Sequence, residues 1–153
     1  MAEVQNIVKI LLIEDNPDDI QITQRAFKEA KVINKIWIAR DGQEALDFLK
    51  HQGQYQDPQV SPKPGLILLD INLPKVNGLE VLKAIKEEED LKRIPTVILT
   101  VSQRDEDIVK GYNYGCNSFI QKPLEFEKFV EVVKEISLYW CLLNVYSPNN
   151  GAD

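Results

Sequence analysis

Cysteine and histidine are scarce in this sequence. Among 153 residues there are two cysteines, Cys116 and Cys141, and one histidine, His51. The cysteines form no short-spaced pair of the kind that binds a metal or carries redox chemistry. We therefore expect two reduced thiols in an intracellular protein, and we expect His51 to be a surface residue at the end of a helix.

Long hydrophobic runs and an excess of positive charge are also missing. No apolar run approaches the roughly 20 residues that span a bilayer. The N-terminal segment MAEVQNIVKILLIED has neither the basic region nor the cleavage site of a secretory signal. Acidic residues (24) outnumber basic ones (18), giving a net charge of -6, whereas nucleic-acid binding needs a basic surface. We predict a cytoplasmic protein that binds neither a membrane nor nucleic acid.

The rest of the composition is that of a soluble globular protein, with 44% hydrophobic and 27% charged residues. The length predicts one domain, which we place at residues 6–146, with an extended C-terminal helix and a flexible tail over 147–153. Residues 52–65, QGQYQDPQVSPKPG, contain three prolines and two glycines and form the only long loop that we expect. Loops longer than about 12 residues are often functional, so a partner contact and a neutral insertion both stay open.

Five β-rich runs alternate with helical segments along the chain. Three of the runs are almost continuously apolar, which is typical of parallel strands covered on both faces. The order of elements predicts a doubly wound α/β fold with a five-stranded parallel sheet. The predicted strands are IVKILLI (7–13), KIWIA (35–39), GLILLD (65–70), TVILT (96–100) and SFIQ (118–121), and the predicted helices cover 16–30, 41–50, 78–93, 105–115 and a final stretch from about 125.

Polar residues stand where these strands end, and in open α/β sheets ligands bind beyond the carboxyl ends of the strands. The first strand ends in Glu14-Asp15, the third in Asp70, the fourth in Thr100, and the fifth runs into Lys122. Clustered carboxylates repel one another unless a cation shares them, and oxygen ligands favour a hard divalent ion such as Mg²⁺. Asp70 beside such an ion, with a hydroxyl and a lysine opposite, has the parts of a phosphoryl-accepting site.

These motifs resemble the receiver domains of two-component response regulators. The resemblance covers roughly residues 8–136 and rests on ED (14–15), LLDINLPKVNG (68–78), ILT (98–100) and SFIQKP (118–123). It implies a flavodoxin-like receiver fold with strand order 2-1-3-4-5. It also implies that the chain is not an enzyme but a regulator, phosphorylated by a sensor histidine kinase.

The resemblance implies a role for each site residue. Asp70 is the phosphoacceptor, Thr100 and Phe119 form a switch pair, and Lys122 contacts the phosphoryl group through a segment in which the Lys122–Pro123 bond is cis. Pro74 and Gly78 shape the loop beside the pocket. The metal, Mg²⁺ or Mn²⁺, is held by Asp15 and Asp70 directly, by Glu14 largely through water and by the backbone carbonyl of Asn72.

Within the family, the chain resembles the single-domain regulators of bacterial phytochrome histidine kinases, through its long loop before the third strand and its aromatic C-terminal extension. Residues 137–146, SLYWCLLNVY, are apolar on nearly every side of a helix and need a second surface to cover them. We predict a homodimer through the last helix, with Tyr139, Trp140 and Tyr146 at the interface, although packing on its own domain is the alternative.

Three other classes of protein share part of this pattern. A haloacid-dehalogenase-type phosphatase needs a second aspartate two residues after the nucleophile, and this chain has Asn72 there. A flavodoxin-like FMN carrier needs a phosphate-binding loop after the first strand, where this chain has acidic EDNPDD (14–19). A receiver-like interaction module that works without phosphorylation stays open, because the fold can serve binding alone.

Overall fold

The computed structural model describes residues 8–100, 105–122 and 125–138 of the chain. Within them, five parallel strands form one sheet in the order β2-β1-β3-β4-β5. The predicted doubly wound fold and its strand order are therefore confirmed. The elements are β1 (Val8–Ile13), α1 (Pro17–Glu29), β2 (Asn34–Ala39), α2 (Gly42–Lys50), β3 (Leu66–Leu69), α3 (Gly78–Glu87), β4 (Thr96–Thr100), α4 (Asp105–Asn113), β5 (Ser118–Gln121) and α5 (Phe126–Ile136).

The sheet is covered on both faces, which explains why its central strands are apolar without interruption. Successive side chains of a strand point to opposite faces. Leu11 and Ile13 of β1 accordingly pack with α2 and α3, whereas Ile10 and Leu12 pack with α1 and α5. All four residues are at most 2% exposed, so the strand that carries Glu14 and Asp15 at its end is anchored on both sides.

The start of α1 follows from the sequence. Asn16 has extended backbone and its side chain accepts hydrogen bonds from the backbone N–H groups of Asp18 and Asp19, as an N-cap residue does. Pro17 occupies the first turn, where the N–H that it lacks has no partner in the helix. This confirms the predicted start of the helix and brings the first turn of α1 close to the end of β1.

The third helix is shorter than predicted. We expected it to continue to Arg93, but it ends at Glu87, and Glu88 already has extended backbone angles. The Lys86 ammonium donates to the carbonyl oxygens of Lys92 and Ile94, at 3.0 and 3.3 Å. These bonds stabilise a turn before β4 that the charged sequence alone does not distinguish from helix.

The segment between α2 and β3 is not a bare loop. It contains a 3₁₀ turn, Gly53–Tyr55, and the Tyr55 hydroxyl donates to Glu44 while its ring packs edge-on against Phe48 at 5.1 Å between centroids. His51 is half-buried, and its Nδ1 lies 3.0 Å from the hydroxyl of the fully buried Ser61. His51 stays partly exposed at the end of α2, where it was expected, and the contact with Ser61 encloses one side of its ring.

No helix among the residues described is long and apolar enough to cross a membrane. The predicted interface residues Tyr139, Trp140 and Tyr146 lie outside the described part of the chain, as do the tail 147–153 and Pro123 with its predicted cis bond.

Candidate functional site

The sheet continues its hydrogen bonding one residue past the strands that carry the acidic residues. The backbone N–H of Asp70 donates to the carbonyl of Ile13 at 3.0 Å, and the N–H of Glu14 donates to the carbonyl of Ala39 at 2.9 Å. These two bonds hold Glu14 and Asp70 on neighbouring strands at the same edge of the sheet. A carboxylate can follow the apolar run of β3 because Asp70 sits where the strand leaves the core.

Glu14, Asp15 and Asp70 form one carboxylate cluster. Each offers an oxygen, and the three oxygens lie within 4.8 Å of one another. Glu14 is 3% exposed and Asp70 8% exposed, whereas Asp15 is exposed. Burial and the charge of Asp70 raise the pKa of Glu14 to about 7, although Lys122 opposes the shift. Crowding of negative charge at a partly buried site is the electrostatic condition that a cation relieves.

The donor set of this cluster fits a hard divalent cation. It consists of carboxylate oxygens from two strands, with no sulfur or imidazole group in it, and oxygen ligands are those that Mg²⁺ and Mn²⁺ prefer. Mg²⁺ usually binds to one or two carboxylates and keeps several waters, so Asp15 and Asp70 would suffice as direct ligands. Asn72 is exposed beside them, and its backbone N–H lies 3.4 Å from Asp70 Oδ1.

Lys122 follows β5, the strand at one edge of the sheet, and contacts the same cluster. Its backbone N–H donates to the carbonyl of Thr100 at 2.7 Å, which extends the pairing of β4 and β5. Its ammonium donates to Glu14 Oε1 at 3.0 Å and to Asp19 Oδ2 at 2.9 Å. Burial lowers the pKa of this ammonium, but the hydrogen bonds to Asp19 and Glu14 outweigh the burial and raise the pKa above its ordinary value. Lys122 is therefore a charged member of the site.

Thr100 and Phe119, the predicted switch pair, lie on the two adjacent strands β4 and β5. Thr100 is the fully buried last residue of β4. Phe119 is half-buried, and its ring lies 6.4 Å from that of Tyr112 on α4. Gly111 lets the ring in, because a Cβ at that position would lie 3.2 Å from Phe119 Cδ2 and 2.9 Å from Ile98 Cδ1. Phe119 thus packs at the margin of the buried cluster on that face of the sheet.

The loop from Asp70 to Gly78 closes back on the acidic residue. The N–H of Gly78 donates to the carbonyl of Ile71 at 2.8 Å. A Cβ on Gly78 would lie only 2.0 Å from the carbonyl oxygen of Asp70. Farther along, the carbonyl of Pro74 accepts from the N–H of Gly42 at 3.3 Å, so the loop also rests on the start of α2. Glycine at position 78 is required by close backbone approach.

From the sequence, Asp19 was placed only within the predicted helix 16–30, and its contact with Lys122 was not predicted. A signal was present in the periodicity of the helix. Asp19 precedes Thr23 by four residues and Ala26 by seven, and both of these residues are buried. Residues at this spacing share a helix face, so the pattern already placed Asp19 toward the sheet.

Comparison with known proteins agrees with this geometry. The family model of the response regulator receiver domain matches residues 10–134. The chain belongs to this family. The response regulator Rcp1 of Synechocystis is 40% identical over 141 residues, which cover 92% of this chain and 94% of that protein.

Two solved structures extend the similarity to three dimensions. The phosphorylated cyanobacterial phytochrome response regulator RcpA is 38% identical, with a TM-score of 0.80 and coverage of 92% of this chain and 97% of that one. The Mn²⁺-bound form of Rcp1 is also 38% identical, with a TM-score of 0.78 and the same coverage. The receiver domain described here is therefore similar to regulators of phytochrome systems over nearly its whole length.

Proposed function

We propose that this receiver domain accepts a phosphoryl group on Asp70 from the phosphohistidine of a partner histidine kinase, in a reaction that depends on Mg²⁺ or Mn²⁺. The observation that carries the proposal is the carboxylate cluster of Glu14, Asp15 and Asp70 with Lys122 beside it. Support comes as well from the Mn²⁺-bound and phosphorylated states of the two similar regulators.

In the proposed transfer, an Asp70 carboxylate oxygen attacks phosphorus as the nucleophile. The new oxygen–phosphorus bond forms while the phosphorus–nitrogen bond of the donor histidine breaks, and the bonding electrons remain on the imidazole nitrogen. A bound divalent ion supplies neutralisation of the carboxylates and of the transferring oxygens. Asp15, Asp70 and the carbonyl of Asn72 would hold that ion directly, and Glu14 would act through water.

The remaining residues of the site respond to the negative charge that the phosphoryl group adds. By analogy with other phosphorylated side chains, the group adds roughly -1.5 to -2 charge. The Lys122 ammonium pairs with one phosphoryl oxygen and the Thr100 hydroxyl donates to another. Movement of Thr100 leaves space into which Phe119 turns, and the surface formed by α4, β5 and α5 changes its protein contacts.

The partner that the comparisons favour is a phytochrome-type histidine kinase. RcpA is a cyanobacterial phytochrome response regulator, and a further similar structure, at 39% identity and a TM-score of 0.75, is a bacteriophytochrome response regulator. We infer that this chain serves a kinase of the same type. An autophosphorylated bacterial phytochrome kinase labelled with ³²P should lose its label to this protein within minutes, and retention of the label would contradict the pairing.

The acceptor role is tested by incubating the protein with acetyl phosphate and Mg²⁺ and recording its intact mass. Wild type should gain one phosphoryl group, and Asp70→Asn should gain none. Asp90→Asn is the matched control, since Asp90 is an exposed aspartate after α3, and it should behave as wild type. EDTA should abolish the gain in all variants that show it. Absence of any gain in wild type, with acetyl phosphate and with a cognate kinase, would favour the phosphorylation-independent interaction module instead.

A further inference from the structure

We propose that Asp19 is a positioning residue that holds the Lys122 ammonium away from Asp70 in the unphosphorylated protein, so that a phosphoryl group must compete with Asp19 for the lysine. The inference rests on the proposed function of Asp70 and concerns how that site is regulated. It assigns a role to a residue outside the acidic pair and outside the switch pair.

The first support is the distribution of contacts around Lys122. Within the described part of the chain, its ammonium contacts the carboxylates of Glu14 and Asp19, at 3.0 and 2.9 Å, and Asp70 is not among its partners. The side chain of Lys122 is 13% exposed and that of Asp19 30% exposed. Water screens such a pair less than it screens a pair on the open surface. The charge-assisted hydrogen bonds of this ammonium are therefore stronger than those of an exposed pair.

The second support is that Asp19 is fixed by groups other than its carboxylate. Its backbone N–H donates to Asn16 Oδ1 at 3.2 Å, and its carbonyl accepts from Thr23 Oγ1 at 2.8 Å. Thr23 is 3% exposed. These bonds aim the residue at the sheet whatever its side chain, and the carboxylate is left to bind Lys122.

Asp18 provides an internal comparison. An acidic residue in the first turn of a helix is favourable because of the helix dipole, and this alone would account for either aspartate. Asp18 has the same charge one residue earlier, but it is exposed and makes no contact with Lys122. Any effect of Asp19 on the lysine beyond its charge near the pocket is therefore measured as a difference between the two positions.

The consequence is that the ion pair between Lys122 and Asp19 opposes the phosphorylated state. The phosphoryl group has to draw the Lys122 ammonium toward Asp70, which lengthens its ion pair with Asp19, and the cost of weakening that pair opposes the phosphorylated state. A ligand shifts a two-state equilibrium only by its differential interaction with the two states. Removal of the Asp19 carboxylate should therefore favour the state in which Lys122 contacts the phosphoryl oxygens.

The test measures binding of beryllofluoride, a phosphoryl analogue, at saturating Mg²⁺ by isothermal titration calorimetry. Asp19→Asn should bind it roughly threefold or more tightly than Asp18→Asn, because a charge-assisted hydrogen bond is lost only at position 19. Both variants lose one negative charge, and because Asp19 lies nearer the pocket, the part of the difference that comes from direct repulsion of the anion is measured in the Lys122→Ala background. Asp19→Ser should behave as Asp19→Asn, and Asp19→Glu, which keeps a carboxylate, should stay near wild type.

A second readout separates positioning from a merely structural role. In a Lys122→Ala background, the advantage of Asp19→Asn over Asp18→Asn should fall to the small part that direct repulsion of the anion contributes, since the group through which Asp19 acts is gone, and an undiminished advantage would overturn the inference. Equal affinities of the two variants in the wild-type background, or weaker binding by Asp19→Asn, would overturn the inference. If wild type itself neither binds beryllofluoride nor gains a phosphoryl group on Asp70, the proposed function fails and the inference fails with it.

Discussion

Replacement of Gly78 by alanine should destabilise this protein, although alanine is intrinsically the better residue in a helix. Gly78 is the first residue of α3, directly after the N-cap Asn77. Where the backbone permits, exchanging glycine for alanine stabilises a protein by about 0.4–1 kcal/mol, chiefly through the unfolded chain. Here the added Cβ would lie 2.0 Å from the carbonyl oxygen of Asp70 and 2.6 Å from Ile71 Cα, and both of these atoms belong to the backbone.

The steric term should decide the sign. A separation of at least about 3 Å requires the Asp70 carbonyl to retreat by about 1 Å, and forcing extra volume into a packed site costs about 1–3 kcal/mol. After subtraction of the gain in propensity, a net loss of about 1–2 kcal/mol in the free energy of unfolding is expected. For a chain of this length, that corresponds to a fall in Tm of roughly 2–8 °C.

Urea denaturation of Gly78→Ala measures this loss, and Gly65→Ala is the matched control. The nearest atom to a Cβ at Gly65 is the carbonyl oxygen of Lys9 at 3.8 Å, an ordinary contact, so this variant should be as stable as wild type or slightly more so. Gly78→Ala should also accept phosphate from acetyl phosphate more slowly, because the displaced carbonyl belongs to Asp70. A Gly78→Ala protein that is as stable as Gly65→Ala and is phosphorylated at the wild-type rate would refute the steric argument.

Three other measurements address parts of the chain away from the acidic cluster. Burial and the hydrogen bond to Glu44 raise the pKa of Tyr55 to about 12. In urea denaturation, wild type should therefore be more stable than Tyr55→Phe below about pH 10, and this difference should disappear as the pH rises toward 12. A difference that does not change with pH would contradict this. Burial raises the pKa of the Cys116 thiol to about 11. In a Cys141→Ser background, a disulfide reagent should therefore modify Cys116 slowly in the native protein and rapidly in urea. Equal rates in the two conditions would contradict this. Trp140→Glu should lower the sedimentation coefficient to that of a monomer, and a wild type that is monomeric with and without beryllofluoride would rule out the dimer.

The strands and the ends of the strands could be predicted because each depends on a local pattern. A parallel strand covered on both faces must be apolar at successive positions, and Leu66–Leu69 meets this condition with every residue buried. The aspartate that follows then has to lie at the edge of the sheet, since an unpaired carboxylate in the core is costly. Asp70 does lie there, paired through its backbone N–H with Ile13 at the end of β1.

Positions that depend on the approach of two distant segments could not be predicted in the same way. Nothing in the sequence of α3 distinguishes Lys86 from Lys83, the other lysine of that helix, yet Lys86 is the one aligned with the carbonyls of Lys92 and Ile94 and so stabilises the turn that ends the helix early. The sequence leaves open whether the long segment before β3 contacts a partner or is a neutral insertion, and it does not predict how the segment is attached to its own domain. Its attachment depends on Tyr55 meeting Glu44 and on Ser61 meeting His51, at sequence separations of 11 and 10 residues.

The pairing of Asp19 with Lys122 depends partly on a local sequence pattern and partly on the topology of the sheet. Consecutive residues of a helix point about 100° apart, so the spacing to Thr23 and Ala26 could separate Asp19, on the sheet side, from Asp18, on the solvent side. The choice of cation is a different matter, because it spans 103 residues and depends on β5 ending at the same edge of the sheet at which α1 begins. Lys122, after the last strand, accordingly contacts carboxylates that follow the first strand and begin the first helix, Glu14 and Asp19. In this chain those carboxylates include one, Asp19, that is outside the proposed metal ligands and free to compete with a phosphoryl group for Lys122.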